Sequence, residues 1–273
     1  MSWLEALILG IVQGLTEFLP VSSSGHLEIG QALLHTTSSD NLTFAVLVHV
    51  ATVCSTLIIL WSEVSWLLKG CFSTIKWNKE KDYAAKIIVS MIPVFIVGMF
   101  FKDKVESFFG NSLTLVGICL IVTALLLAVS DYITLHRQKK QTGSEEVGRS
   151  VNYLDAFIIG IAQAIAVLPG LSRSGSTIST GLLCGVKKSE IAQFSFLMVI
   201  IPILGEALLD TIKIISTGSL STDLPLSSAI VGFVAAFATG CFACKFMISL
   251  VRKGRLVWFA IYCLIIGILA ICL

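Results

Sequence analysis

Between residues 10 and 26 the sequence reads GIVQGLTEFLPVSSSGH, and its polar residues are of types that suit acid–base or anion chemistry. Gln13 and Glu17 stand four apart, so on a helix they share one face. The apolar run carrying them breaks at Pro20 and passes through Ser22, Ser23 and Ser24 to Gly25 and His26. A carboxylate at membrane depth is a functional residue by default. A second polar knot follows at Pro169-Gly170-Leu171-Ser172-Arg173-Ser174-Gly175, continued by Ser176 and Thr177. Arg173 offers a planar, permanently charged fork that matches phosphate bidentately. The small residues around it lead into a helix start, whose free N–H groups favour an anion.

Within the first knot, His26 suits a general acid or base, or a nucleophile at phosphorus. Ser23 is the hydroxyl that His26 would activate, whereas Ser22 and Ser24 read as backbone caps. Glu17 suits a divalent-metal ligand through hard oxygen coordination, or an orienter of His26. A plain Glu17–Arg173 pair that only neutralises two membrane charges would leave the serines and His26 without a role. His35, His49 and His136 read as structural. GxSxG, HExxH, Walker and GxGxxG patterns are absent, which leaves serine-hydrolase and NTPase readings without footing.

These residues need a membrane scaffold. Of 273 residues 56% are hydrophobic and 13% charged, with a mean hydropathy of +0.92, the composition of a polytopic membrane protein. A net charge of +2 is too small for a nucleic-acid surface, and no cleavable signal peptide is evident. The eight cysteines lie mostly in apolar runs, and the CxxC of Cys241 and Cys244 reads as packing. Six stretches are long and apolar enough to span, at about 42–61, 84–101, 112–130, 190–210, 226–250 and 257–273. Two more, about 4–35 and 154–187, are interrupted and read as re-entrant broken helix pairs.

Lys and Arg cluster in 62–86, 131–150 and 245–255, which places those segments in the cytoplasm. The poorer loops at 102–111 and 211–225, and both termini, then lie outside. Gly10-Ile11-Val12-Gln13 matches Gly160-Ile161-Ala162-Gln163 at an offset of 150, as do Ser22, Ser24, Gly25 and Phe44 with Ser172, Ser174, Gly175 and Phe194. Val167 stands where the first copy has Glu17. Each copy holds one broken pair and three spans, an odd number, so the second enters the membrane inverted. The expected fold is all-α and polytopic: one integral domain over 1–273, with repeat one at 1–135, a cytoplasmic linker at 136–150 around Gly143-Ser144-Glu145-Glu146, and repeat two at 151–273. In such folds the site lies near the midplane, where the broken elements meet.

At these residues the sequence resembles the undecaprenyl-diphosphate phosphatase family of bacterial inner membranes, which is linked to bacitracin resistance. One motif is the (E/Q)xxxE box with PVSSxGH, here Gln13, Glu17 and Pro20 to His26. The other is PGxSRSG, here Pro169 to Gly175. The first box position is Gln13, where many members have Glu. The resemblance implies hydrolysis of a polyprenyl diphosphate to the monophosphate and inorganic phosphate, recycling a carrier used in peptidoglycan synthesis. It implies a divalent cation, Mg2+ or Ca2+, held at Glu17, and a site open to the periplasmic side. Carried over, the catalytic positions are Glu17, Ser23, His26 and Arg173. Gln13, Ser22, Ser172, Ser174 and Thr177 would bind substrate. Either Ser23 or His26 would attack phosphorus, and replacing His26 or Arg173 by Ala would abolish turnover. The partners are the lipid diphosphate and membrane lipids. Bacitracin would compete for the substrate rather than bind the protein, and a homodimer is compatible with the pattern. The competing class is a lipid-phosphate transporter or flippase, whose architecture also uses inverted repeats. The Ser23/His26 pair favours an enzyme.

Overall fold

The computed structural model describes residues 1–36, 38–101, 113–140, 148–216, 224–253 and 255–273. Among them are eleven helices. They are α1 (Trp3–Phe18), α2 (Ser23–Leu33), α3 (Ser38–Ile59), α4 (Trp61–Ser73), α5 (Lys79–Phe100), α6 (Leu113–Lys140), α7 (Tyr153–Ile165), α8 (Arg173–Leu183), α9 (Lys188–Ser216), α10 (Leu226–Lys253) and α11 (Val257–Cys272). The loop at 102–111 that is expected to face out, the Gly143–Glu146 linker and part of the 211–225 loop lie outside the described residues.

Both broken stretches form as expected, α1 with α2 and α7 with α8, and the 150-residue offset extends to their capping chemistry. The free N–H groups at the start of α1 are closed by a capping box, Glu5 N–H to Ser2 Oγ at 3.3 Å and Ser2 N–H to Glu5 Oε2 at 2.8 Å. At α7 the same box is built from Asn152 and Asp155, at 2.7 and 3.0 Å. After each break a serine caps the short helix. Ser22 Oγ accepts from Gly25 N–H at 3.3 Å, and Ser172 Oγ from Gly175 N–H at 3.0 Å.

Packing partners are exchanged between the halves. Helix α1 lies against α10, whereas α7 lies against α5. Helices α6 and α11 lie against each other at Gly117 and Gly267. A Cβ on Gly117 would sit 2.6 Å from the Gly267 carbonyl oxygen, and one on Gly267 would sit 2.8 Å from that of Gly117. Residue i meeting j while j meets i is the signature of a two-fold relation, and these residues too are 150 apart. Only glycine allows so close a backbone approach. Phe44 and Phe194, matched by the repeat, are both fully buried.

Helices α5, α6, α9 and α10 are long and apolar enough to cross a membrane, so the chain is a multi-pass membrane protein. The remaining two expected spans differ in form. Residues 43–59 of α3 continue into α4 across a 73° bend, and the two pass the length and composition test only together. Helix α11 has 16 residues, about 24 Å at 1.5 Å per residue, short of the ~30 Å core. Helix α4 also corrects the reading of 62–86 as loop. Its exposed Trp61, Trp66, Leu68 and Phe72 suit a helix that lies along the membrane surface. Two arginines counted only as loop charge have fold duties. Arg137 donates to the Leu182 and Leu183 carbonyls at the end of α8, at 2.8 and 3.0 Å, and Arg149 pairs with Asp155 of the α7 box.

The α6–α11 contact yields a direct check. Gly267→Leu forces the two backbones apart and is expected to cost about 1–3 kcal/mol, a fall of several degrees in the unfolding midpoint in detergent. Ile268→Leu, at a half-exposed neighbouring position, should leave the midpoint within a degree or so.

Candidate active site

The two breaks meet, and Glu17 is the point of convergence. Its side chain is only 5% exposed, at the end of α1. Oε2 accepts from the Ser23 hydroxyl at 2.6 Å and from Gln13 Nε2 at 2.9 Å. Oε1 accepts from Arg173 Nη2 at 3.2 Å, across 156 positions of chain. His49 Nε2 stands 3.9 Å from Oε2. The i, i+4 spacing of Gln13 and Glu17 makes their contact, and the break at Pro20 turns the chain so that Ser23 returns to Glu17. The Arg173 guanidinium arrives from the first turn of α8. A buried carboxylate is tolerated only where such partners replace water.

The breaks also hold each other. Ser174 Oγ donates to the Leu19 carbonyl at 3.2 Å, covering an oxygen freed by the end of α1. Ser172 N–H donates to Thr123 Oγ1 of α6 at 3.1 Å, and Cys263 Sγ of α11 reaches the Pro20 carbonyl at 3.6 Å. All eight cysteines are free, the CxxC included, in keeping with packing.

Several expected roles shift. His26 does not touch Ser23 or Glu17. Its Nδ1 meets the Ser22 carbonyl at 2.8 Å, which makes Nδ1 the protonated nitrogen, and its Nε2 meets the Tyr262 hydroxyl at 2.8 Å. The basic group on the Ser23 hydroxyl is therefore Glu17, and the ring beside Glu17 is that of His49. The reason is helical geometry: His26 follows Ser23 by three residues in α2, and its ring folds back onto the carbonyl preceding that turn. Ser22 and Ser172 are caps, as their type suggested for Ser22. Thr177 Oγ1 is shared among the Arg173 and Ser174 carbonyls and Ser195 Oγ, at 2.9, 3.2 and 2.6 Å. Its hydroxyl is thus committed inside the helix packing. From the sequence His49 reads as structural, a residue within a span whose approach to the site no motif decides, and Tyr262, one aromatic among many in α11, draws no notice.

A small cavity of about 20 Å³ adjoins Glu17 and Arg173, with room for roughly one water. Its polar end is formed with Ser174 and Ser195, and its apolar end by Val53 of α3 with Phe196, Val199 and Ile203 of α9. The arrangement can bind an anion at Arg173, activate the Ser23 hydroxyl through Glu17, and seat an apolar group beside both.

Gln13 bears on a metal. Its Oε1 is buried without a hydrogen-bond partner among the described residues, beside the Glu17 carboxylate. The amide nitrogen, not Oε1, faces the carboxylate. An amide oxygen with a carboxylate is the hard donor type that suits a divalent cation taking its remaining ligands from substrate phosphates and water. No group of three or more His, Cys, Asp or Glu able to hold a metal occurs among the described residues.

The profile of the family described as bacitracin resistance protein BacA matches residues 6–269. An undecaprenyl-diphosphatase of Bacteroides thetaiotaomicron is 57% identical over 271 residues, covering 99% of this chain and 98% of the relative. One from Bacteroides fragilis is 57% identical over the same coverage. One from Christiangramia forsetii is 46% identical over 98% of this chain and 96% of its own.

The Glu17–Arg173 pair carries a stability consequence. Arg173→Met leaves a buried carboxylate without its countercharge and is expected to cost about 3–5 kcal/mol. Adding Glu17→Gln should recover most of that loss in a thermal unfolding series. If single and double variants melt alike, the pairing is energetically idle.

Proposed function

The chain belongs to the bacitracin resistance protein BacA family, and on that premise we propose that it is an enzyme removing the terminal phosphate of undecaprenyl diphosphate. The products are undecaprenyl phosphate and inorganic phosphate, which returns the lipid carrier to cell-wall synthesis. The protein sits in the bacterial inner membrane with its site open to the periplasmic side, opposite the lysine- and arginine-rich segments. Bacitracin acts by holding the same lipid diphosphate rather than the protein.

One observation supports the reading most: the Ser23 hydroxyl donates to the Glu17 carboxylate at 2.6 Å, with Arg173 on the other carboxylate oxygen. A carrier needs an anion site but has no use for a hydroxyl poised on a base. In the mechanism, Arg173 releases Glu17 in part to bind the diphosphate, helped by free N–H groups in the first turns of α2 and α8. Ser23 Oγ attacks the terminal phosphorus in line while its proton passes to Glu17. The bond between that phosphorus and the bridging oxygen breaks, and the electron pair leaves on the lipid monophosphate. Glu17 passes that proton to the departing lipid monophosphate, takes another from the water that attacks the phosphoserine, and returns it to Ser23 Oγ as the bond from phosphorus to serine breaks and inorganic phosphate leaves. A divalent cation held by Glu17 and Gln13 Oε1 would offset the negative charge of the phosphoryl oxygens.

The prenyl tail leaves the site along the apolar wall of Val53, Phe196, Val199 and Ile203, between α3 and α9. Since the cavity holds about one water, the headgroup enters only as those helices part.

Phosphate release from undecaprenyl diphosphate by the purified protein in detergent tests this reading. Release should require a divalent cation, and Ser23→Ala and Arg173→Ala should each reduce kcat by roughly 100-fold or more. Tight lipid binding without release from the unsubstituted protein would sink the phosphatase and favour a transporter.

A further inference from the structure

Ser22 and His35 are the non-glycine residues with positive φ among the described residues. Ser22 has φ 69° and ψ 98°, and it is the residue that turns the chain so that Ser23 faces Glu17. Such a backbone persists only where its surroundings over-determine it. The Ser22 carbonyl receives two donors: the His26 backbone N–H at 3.2 Å and the His26 ring Nδ1–H at 2.8 Å. The ring is in turn fixed from α11. Tyr262 donates its hydroxyl to Nε2 at 2.8 Å, and the two rings lie 5.5 Å apart and within 9° of parallel. The next residue, Cys263, contacts the Pro20 carbonyl, so α11 grips this break at two adjacent positions.

The second repeat supplies an internal control. Ser172, the counterpart of Ser22, has an ordinary φ of −74°. Its carbonyl receives the Ser176 backbone N–H at 2.9 Å. The residue at the His26 position is Ser176, whose hydroxyl is buried with no partner among the described residues. Where the turn is relaxed there is no ring to hold it, and where it is strained there is.

We infer that His26 is a positioning residue: braced by Tyr262, its Nδ1–H holds the Ser22 carbonyl and thereby the positive-φ turn that delivers the Ser23 hydroxyl to Glu17. Tyr262 is then a second positioning residue for the same reaction. The inference rests on the phosphatase reading above. It differs from a proton-transfer role for His26, in which Nε2 would do the chemistry and Tyr262 would have to leave.

Asparagine and glutamine distinguish the two roles. The Asn amide nitrogen falls where Nδ1 is and has no counterpart to Nε2, while the Gln amide reaches the Nε2 position and lacks the Nδ1 donor. With undecaprenyl diphosphate as probe, His26→Ala and His26→Gln should lose about 100-fold in kcat, the scale of a misplaced reacting group. His26→Asn should recover to within about tenfold of the unsubstituted protein, and Tyr262→Phe should lower kcat about three- to tenfold with KM unchanged. His26→Asn as inactive as His26→Ala, in a protein that elutes and melts normally, overturns the inference.

If His26→Asn does not fold, Ser22→Gly decides, because glycine adopts positive φ without a side-chain penalty and serves as a cap at little cost. The loss caused by His26→Ala should shrink about tenfold or more in that background. An undiminished loss overturns the clamp. No turnover by the unsubstituted protein would instead sink the phosphatase reading.

Discussion

A carboxylate kept charged away from water governs this structure. The Glu17 side chain is 5% exposed, and each of its neighbours can be read as part of the answer to that burial. The amide of Gln13, the hydroxyl of Ser23, the guanidinium of Arg173 and the ring of His49 take the places that water would fill. To supply them, the chain must break two helices inside an apolar body and bring the breaks together. Each break frees backbone groups that cannot be left bare there. The paired caps, the Ser174–Leu19 bond and the Cys263–Pro20 contact are how those groups are met. Function and fold thus share one electrostatic problem.

The solution is symmetric in frame and asymmetric in chemistry. Capping boxes, cap serines, buried glutamines and the Gly117–Gly267 contact recur at one offset and exchange places across a two-fold relation. The polar side chains that meet between the breaks do not recur. Val167 replaces Glu17 and lines an apolar hollow with Pro93 and Ile96, and Ser176 replaces His26. One half holds the buried carboxylate, the hydroxyl and the strained turn, and the other holds the guanidinium. Neither half contains a site by itself.

Much of this was legible in the sequence because the repeat fixes both breaks and the motif residues cluster around them. Glu17, Ser23 and Arg173 follow from type and position alone. What stayed hidden came from elsewhere in the chain or from direction. His49 and Tyr262 approach from other helices, and in segments that are apolar all round no periodicity separates a site-facing residue from a lipid-facing one. The ring of His26 points away from the hydroxyl beside it, which spacing cannot tell. Hydropathy marks 42–61 and 257–273 as apolar, but it reports composition and not the bend between α3 and α4 or the shortness of α11. The charges of Arg137 and Arg149 were legible as topology signals, but the cap that Arg137 gives α8 depends on carbonyls far along the sequence, and the pairing of Arg149 with Asp155 depends on how the chain enters α7.

The 156 positions between Glu17 and Arg173 also impose an order on the making of the protein. Synthesis runs from the N-terminus at about 5–20 residues per second, so Glu17 is made roughly 8–30 s before its countercharge. During that interval α1 is too apolar for water and its carboxylate has no guanidinium. An unpaired acid in that position stays protonated or stays wet. Until α8 arrives, the first broken element therefore either keeps Glu17 hydrated, short of its final depth, or carries it as the neutral acid.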